Sequence, residues 1–165
     1  MKKLYLVRHA KSSWDDPDLD DFDRPLNKRG EHDASFMGFR LREMNIKIDL
    51  LVSSNAVRAM QTAALFADRL AYPLKKIIKP SAMYGGDVEE LLGVVHKLDN
   101  NLNEVMLVGH NPGLTDFAQY LTTERFEKIP TSGIFCAGFD VTTWQQITPE
   151  SGTMIFFDYP KKHIK

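Results

Sequence analysis

A single cysteine, Cys136, stands in 165 residues. That excludes an internal disulfide and any zinc site built on paired cysteines. Cys136 lies in the apolar run Ile134-Phe135-Cys136-Ala137 and so reads as a buried structural thiol. Long hydrophobic runs are missing too, and nothing approaches the ~20 apolar residues of a membrane span. Lys2-Lys3 is followed by only four apolar residues before Arg8, short of the roughly 7–15 of a secretory signal core. These absences point to the cytoplasm and away from membranes. Neither sign of charge dominates, since Lys and Arg total 21 against 22 Asp and Glu, for a formal net charge of −1. That leaves no electrostatic footprint for DNA or RNA. Repeats, low-complexity tracts and linkers are absent as well. One domain over residues 1–165 is the natural reading, and it is large enough to bury a core without covalent staples.

The apolar runs that do occur are short. Leu4–Val7, Ile48–Val52 and Val105–Val108 have strand length and β-prone composition, with a further short strand expected over Lys76–Lys79. Helical patterns follow three of the runs. One opens at Asn27-Lys28-Arg29-Gly30, with Phe36, Phe39, Leu41 and Met44 supplying most of its apolar face and Ala34 and Met37 nearby. The second runs from about Ala56 to Leu70, with Ser53-Ser54-Asn55 available as N-caps. The third, Leu114 to Leu121, follows His110-Asn111-Pro112-Gly113. Another helix is expected from Asp87 to Leu98, with Val88, Leu91, Leu92, Val95 and Leu98 on its apolar face. Residues 133–141 and 153–159 read as two strands of a hairpin. Strands alternating with helices predict an α/β protein, a three-layer sandwich whose mostly parallel central sheet is flanked by helices. Residues 11–27 read as a polar loop. Its six aspartates among nine residues, Asp15 to Asp23, are expected to form a solvated face. The tail from Lys161 to Lys165 reads as a solvated end.

Three of the expected strands end in chemically capable groups: Arg8-His9, Ser53-Ser54 with Arg58 one turn into the next helix, and Gly109-His110. In a parallel sheet these ends share one edge. Each residue alone has an ordinary reading, His110 as a helix-capping or core-edge residue and Arg58 as a surface charge. Together they predict a pocket of two imidazoles and two guanidiniums, which suits a dianionic phosphoryl group. A neutral imidazole can attack phosphorus and carry it as phosphohistidine. Neighbouring arginines disfavour its protonated form and grip phosphoryl oxygens through paired hydrogen bonds. The second imidazole can stabilise the developing charge. The cations are side chains, so neither a metal nor another cofactor is required. A metal hydrolase built on His9, His32, His96, His110 and His163 is a poorer reading, because their scatter matches no ligand spacing.

Leu6-Val7-Arg8-His9-Ala10 resembles the Arg-His-Gly signature of the histidine phosphatase superfamily, which includes the cofactor-dependent phosphoglycerate mutases. Ser54-Asn55-Ala56-Val57-Arg58-Ala59-Met60-Gln61-Thr62 is similar to its second motif, and Val108-Gly109-His110-Asn111-Pro112 to its third. Lys11-Ser12-Ser13-Trp14 and the stretch from Asp23 to Gly30 look most like the small phosphohistidine phosphatase SixA branch, which lacks the lid segments of the mutases. The resemblance implies a phosphoglycerate mutase-like fold and a metal-independent phosphatase. It implies His9 as the phosphorylated nucleophile, Arg8 and Arg58 on the phosphoryl oxygens, and His110 completing the pocket. Arg24, Lys11 and Ser54 are implied as further substrate or phosphate contacts, with N-capping as the competing role for Ser54.

Two departures stand out. Ala10 replaces the usual Gly, and the superfamily's acid glutamate has no clear counterpart. Asp87 is the candidate general acid, although Asp87 and Glu90 also fit a capping box. A weak acid suits a phosphohistidine substrate, whose imidazole leaves more readily than an alkoxide. The leading expectation is therefore dephosphorylation of phosphohistidine on a partner protein. The alternatives are a small phosphoester substrate or a non-catalytic phosphate-binding module.

Overall fold

The computed structural model describes residues 1–164. Five strands form one sheet in the order β2-β3-β1-β4-β5. They are β1 (Lys2–Arg8), β2 (Leu50–Ser53), β3 (Glu104–Gly109), β4 (Ile134–Phe139) and β5 (Gly152–Asp158). The helices are α1 (Lys28–Glu43), α2 (Val57–Arg69), α3 (Val88–His96) and α4 (Gly113–Leu121). The pairs β1–β3 and β2–β3 are parallel, whereas β1–β4 and β4–β5 are antiparallel. The sheet is therefore mixed, with only β4 reversed, and the expected hairpin of the last two strands is present.

Central strand β1 explains the three layers. Side chains of a strand alternate between faces, and here both faces are buried. Leu4 and Leu6 pack with Leu91, Val95, Phe117 and Leu121 of α3 and α4. Tyr5 and Val7 pack with Met37, Leu41, Ala63 and Phe66 of α1 and α2.

Three local expectations need correction. The buried face of α1 is Ala34, Met37, Gly38 and Leu41, while Phe39 and Met44 are 40% and 44% exposed. Small residues set this face because α1 and α2 pack closely: a Cβ on Gly38 would lie 3.1 Å from the Arg69 Cβ. Lys76–Lys79 forms no strand. Proline at 73 and 80 brackets it, and only Ile78 makes an isolated bridge, to Val52. The tail is less free than expected. Residues Pro160–His163 form a 3-10 turn, and His163 Nε2 lies 2.6 Å from Asp158 Oδ1. Lys165 lies outside the described residues. Among the described residues, no helix is long and apolar enough to cross a membrane.

Candidate active site

The parallel strands β1, β2 and β3 bring His9, Ser54 and His110 to one edge. His9 N–H donates to the Gly109 carbonyl at 2.9 Å, and Ser54 N–H to the Val108 carbonyl at 2.9 Å. The His9 and His110 ring centroids are 5.1 Å apart. An open pocket of about 450 Å³ is lined by Arg8, His9, Lys11, Trp14, Arg24 and Arg58, among others.

The second sequence motif acts as a brace. Thr62 Oγ1 accepts the Ala10 N–H at 2.9 Å, which fixes the turn after His9. Gln61 Oε1 accepts the Leu26 N–H at 2.8 Å, which fixes the loop carrying Arg24. Ala10 is fully buried and is not among the residues with positive φ, so alanine is tolerated where the resemblance has glycine. Gly30 has a steric reason: a Cβ there would lie 2.1 Å from the Lys11 carbonyl oxygen.

His9 has a fixed tautomer. Its Nδ1 lies 2.7 Å from the Ala10 carbonyl oxygen, which can only accept, so Nδ1 carries the proton. The lone pair is then on Nε2. Burial, opposed by the Ala10 hydrogen bond and reinforced by the charges of Arg58, Arg8 and Arg24, pushes His9 down to about 4. The ring is therefore neutral near pH 7.

His110 is neutral as well, pushed down to about 3 chiefly by burial. Its Nδ1 faces an Arg58 amine at 3.4 Å and its Nε2 lies 2.8 Å from Ser54 Oγ. Arg58 can only donate, so the His110 proton sits on Nε2 and points at Ser54. Ser54 Oγ also accepts the Ala56 N–H at 3.1 Å. Ser54 therefore does not cap α2, whose N-cap is Ala56 with no side-chain bond. Its hydroxyl orients His110 instead.

These pKa shifts make stability depend on pH. Between the ordinary imidazole value of 6.5 and about 4, unfolded His9 binds a proton that folded His9 refuses. The same holds for His110 down to about 3. Proton uptake by the unfolded state means that stability is lost as pH falls through this window. Each histidine contributes at most about 1.4 kcal/mol per pH unit. Urea midpoints measured from pH 7 to 4 will fall, and the slope will be shallower in His9→Asn and in His110→Asn. Asp21 and Asp158, whose values are lowered from 3.8, act below most of this range.

Three arginines line the site, Arg8, Arg24 and Arg58, and the Nε–H of each is buried without a partner among the described residues. Arg24 is 7% exposed and locked. It donates to Ser12 Oγ at 2.6 Å, and its guanidinium carbon lies 3.5 Å from the centroid of the exposed Trp14 ring. Lys11 is exposed and reaches the pocket rim.

Sequence reasoning missed Asp21 and Tyr84. Asp21 belongs to the aspartate run read as a solvated face, yet its carboxylate accepts from Arg24 at 3.1 Å, Arg58 at 2.9 Å and Tyr84 at 2.9 Å. Burial opposes ionisation, but these three donors hold Asp21 down to about 2. Tyr84 also meets the His110 ring edge-on at 5.3 Å. Asp87 is exposed and lines, with His110, a separate cleft of about 140 Å³ that shares no lining residue with the His9 pocket. Its side chain accepts the Glu90 N–H at 2.9 Å and completes a capping box. Among the described residues, no group of three or more His, Cys, Asp or Glu side chains is placed to hold a metal ion.

The sequence profile of the histidine phosphatase superfamily (branch 1) matches residues 4–91. The chain belongs to that superfamily. An uncharacterised chloroplastic protein of Arabidopsis thaliana is 33% identical over 159 residues, which cover 92% of this chain and 72% of that protein. An uncharacterised protein of Mycobacterium tuberculosis is 30% identical over 176 residues, covering 94% of this chain and 100% of that protein. Among solved structures, the protein histidine phosphatase SixA complexed with tungstate superposes with a TM-score of 0.84 at 21% identity, covering 97% of this chain and 98% of that one. A protein of Agrobacterium tumefaciens described as a phosphohistidine phosphatase SixA gives a TM-score of 0.82 at 27% identity, covering 96% of this chain and 98% of that one. This member of the superfamily is a phosphatase of the SixA-like branch with a phosphoglycerate mutase-like fold.

Proposed function

We propose that this phosphatase removes phosphoryl groups from phosphohistidine on proteins, through a covalent intermediate on His9 Nε2. In the first step a bond forms between His9 Nε2 and phosphorus while the substrate's P–N bond breaks. The electron pair returns to the substrate nitrogen, and the substrate ring leaves neutral because its other nitrogen keeps a proton. In the second step water attacks the phosphorus and the electron pair of the breaking P–N bond returns to Nε2, while one of the water's protons moves to a phosphoryl oxygen so that dihydrogen phosphate leaves. His9 also leaves neutral, because Nδ1 holds its proton against the Ala10 carbonyl. Arg8, Arg58 and Arg24 hold the phosphoryl oxygens in both steps, and the neutral His110 ring closes the pocket.

The observation that carries the substrate class is the state of the nearby carboxyls. Asp21 is an ionised carboxylate engaged by three donors, and Asp87 is engaged in the cap of α3. Neither offers the proton that an alkoxide leaving group needs. Breaking a P–N bond to a protonated imidazole requires no such proton, and the site must break that bond in its own second step. The open pocket suits a side chain presented on a protein surface.

A substrate panel tests this reading. A phosphohistidine peptide should be hydrolysed with kcat/KM at least about a hundredfold above phosphoserine peptides and sugar phosphates, the size of an ordinary general-acid contribution. Equal or faster turnover of a small phosphoester would replace the substrate class. No turnover of any phosphorylated compound would leave a phosphate-binding module.

A further inference from the structure

The chain's charge is nearly balanced, but it is not evenly spread around the site. A second groove, of about 340 Å³, adjoins the His9 pocket, sharing Arg8, Lys11 and Thr131 with it. Arg8, Lys11, Lys128 and Lys161 line this groove, and none of the four has a carboxylate partner among the described residues. Its one lining carboxylate, Asp33, is buried and held by Arg29 Nε at 3.1 and 3.0 Å. Arg24 and Arg58, which line the pocket but not the groove, are the cations that Asp21 holds. The field across the site is therefore lopsided, with free positive charge concentrated on the groove side.

We infer that this groove docks an acidic segment of the phosphorylated partner protein, next to the phosphohistidine it presents. The inference rests on the proposed function and names what that site reads beyond the phosphoryl group. A second phosphate would require converging donors. Here the lysines come from three separate segments: Lys11 follows β1, Lys128 precedes β4 and Lys161 follows β5. All three are exposed. Hydrated point charges spaced along a groove suit several spaced carboxylates, and they act mainly on encounter and orientation. Tyr159, Pro130 and Pro160 add apolar wall for the segment's backbone and stems.

The test compares phosphoimidazole with two phosphohistidine peptides, one carrying four glutamates beside the phosphohistidine and one carrying serines there. At low salt the acidic peptide should show kcat/KM roughly tenfold above the serine peptide, the scale of a few rim charges acting together. The advantage should shrink as salt is raised. It should vanish in the double variant Lys128→Glu/Lys161→Glu, with phosphoimidazole turnover unchanged. An acidic peptide no better than the serine peptide, or an advantage that survives in the double variant, would overturn the docking assignment. So would a small bisphosphate whose binding is lost in the double variant while the peptide preference is unaffected. Failure to hydrolyse phosphoimidazole and both phosphohistidine peptides would strike the proposed function instead, so the two failures are separable.

Discussion

Replacing His9 by alanine will lower kcat on a phosphohistidine peptide by on the order of 10^4-fold or more, the scale seen when a covalent nucleophile is removed. The size follows from the geometry. The Nδ1–H bond to Ala10 leaves one lone pair in the pocket, on Nε2, and burial with three nearby guanidiniums keeps that nitrogen unprotonated. Ser54 and the neutral His110 cannot substitute. The Ser54 hydroxyl is engaged by His110 and Ala56, and the free nitrogen of His110 faces Arg58. The fold should survive, because His9 is tied to the sheet by its backbone N–H rather than by its ring. A His9→Ala protein with wild-type circular dichroism and more than a hundredth of wild-type turnover would contradict the assignment.

Arg58→Ala carries the second largest effect, a loss in kcat of about 10^2–10^3-fold, as for removal of one preorganised donor set from a reacting oxygen. Arg58→Lys should recover little, since an ammonium lacks the planar fork. A second readout distinguishes this role from a structural one. Arg58 contributes the largest charge effect lowering His9, after burial. Removing it should raise the His9 pKa, moving the acid limb of the rate profile and the imidazole NMR titration upward from about 4. An unshifted titration with a large rate loss would mean that Arg58 acts by holding Asp21 and the loop rather than by its charge at the site.

The strand-end residues were legible in the sequence because β1, β2 and β3 are parallel. Their apolar runs name the strands, and the first polar residue after each run falls on the shared edge. The motif positions Gln61 and Thr62 were legible only as letters of a motif, and their hydrogen bonds to Leu26 and Ala10 supply the reason for them. Asp21 was hidden for a different reason. Six aspartates in one loop look alike in sequence, and what singles this one out is three donors lying 3, 37 and 63 residues away. The large residues of α1 do not mark its buried face, which is set by Ala34, Met37, Gly38 and Leu41. Close helix packing favours the small residue and leaves Phe39 outside. The two lysine-flanked isoleucines at 77 and 78 carry strand composition, but the prolines at 73 and 80 leave room for a single bridge.

The most direct test of the account is a rapid-quench experiment with a labelled phosphoryl donor. Wild-type protein should trap about one acid-labile, base-stable phosphoryl group per chain, located on His9 by mass spectrometry, and His9→Ala should trap none. Turnover without any trapped label, or undiminished label in His9→Ala, would contradict the account.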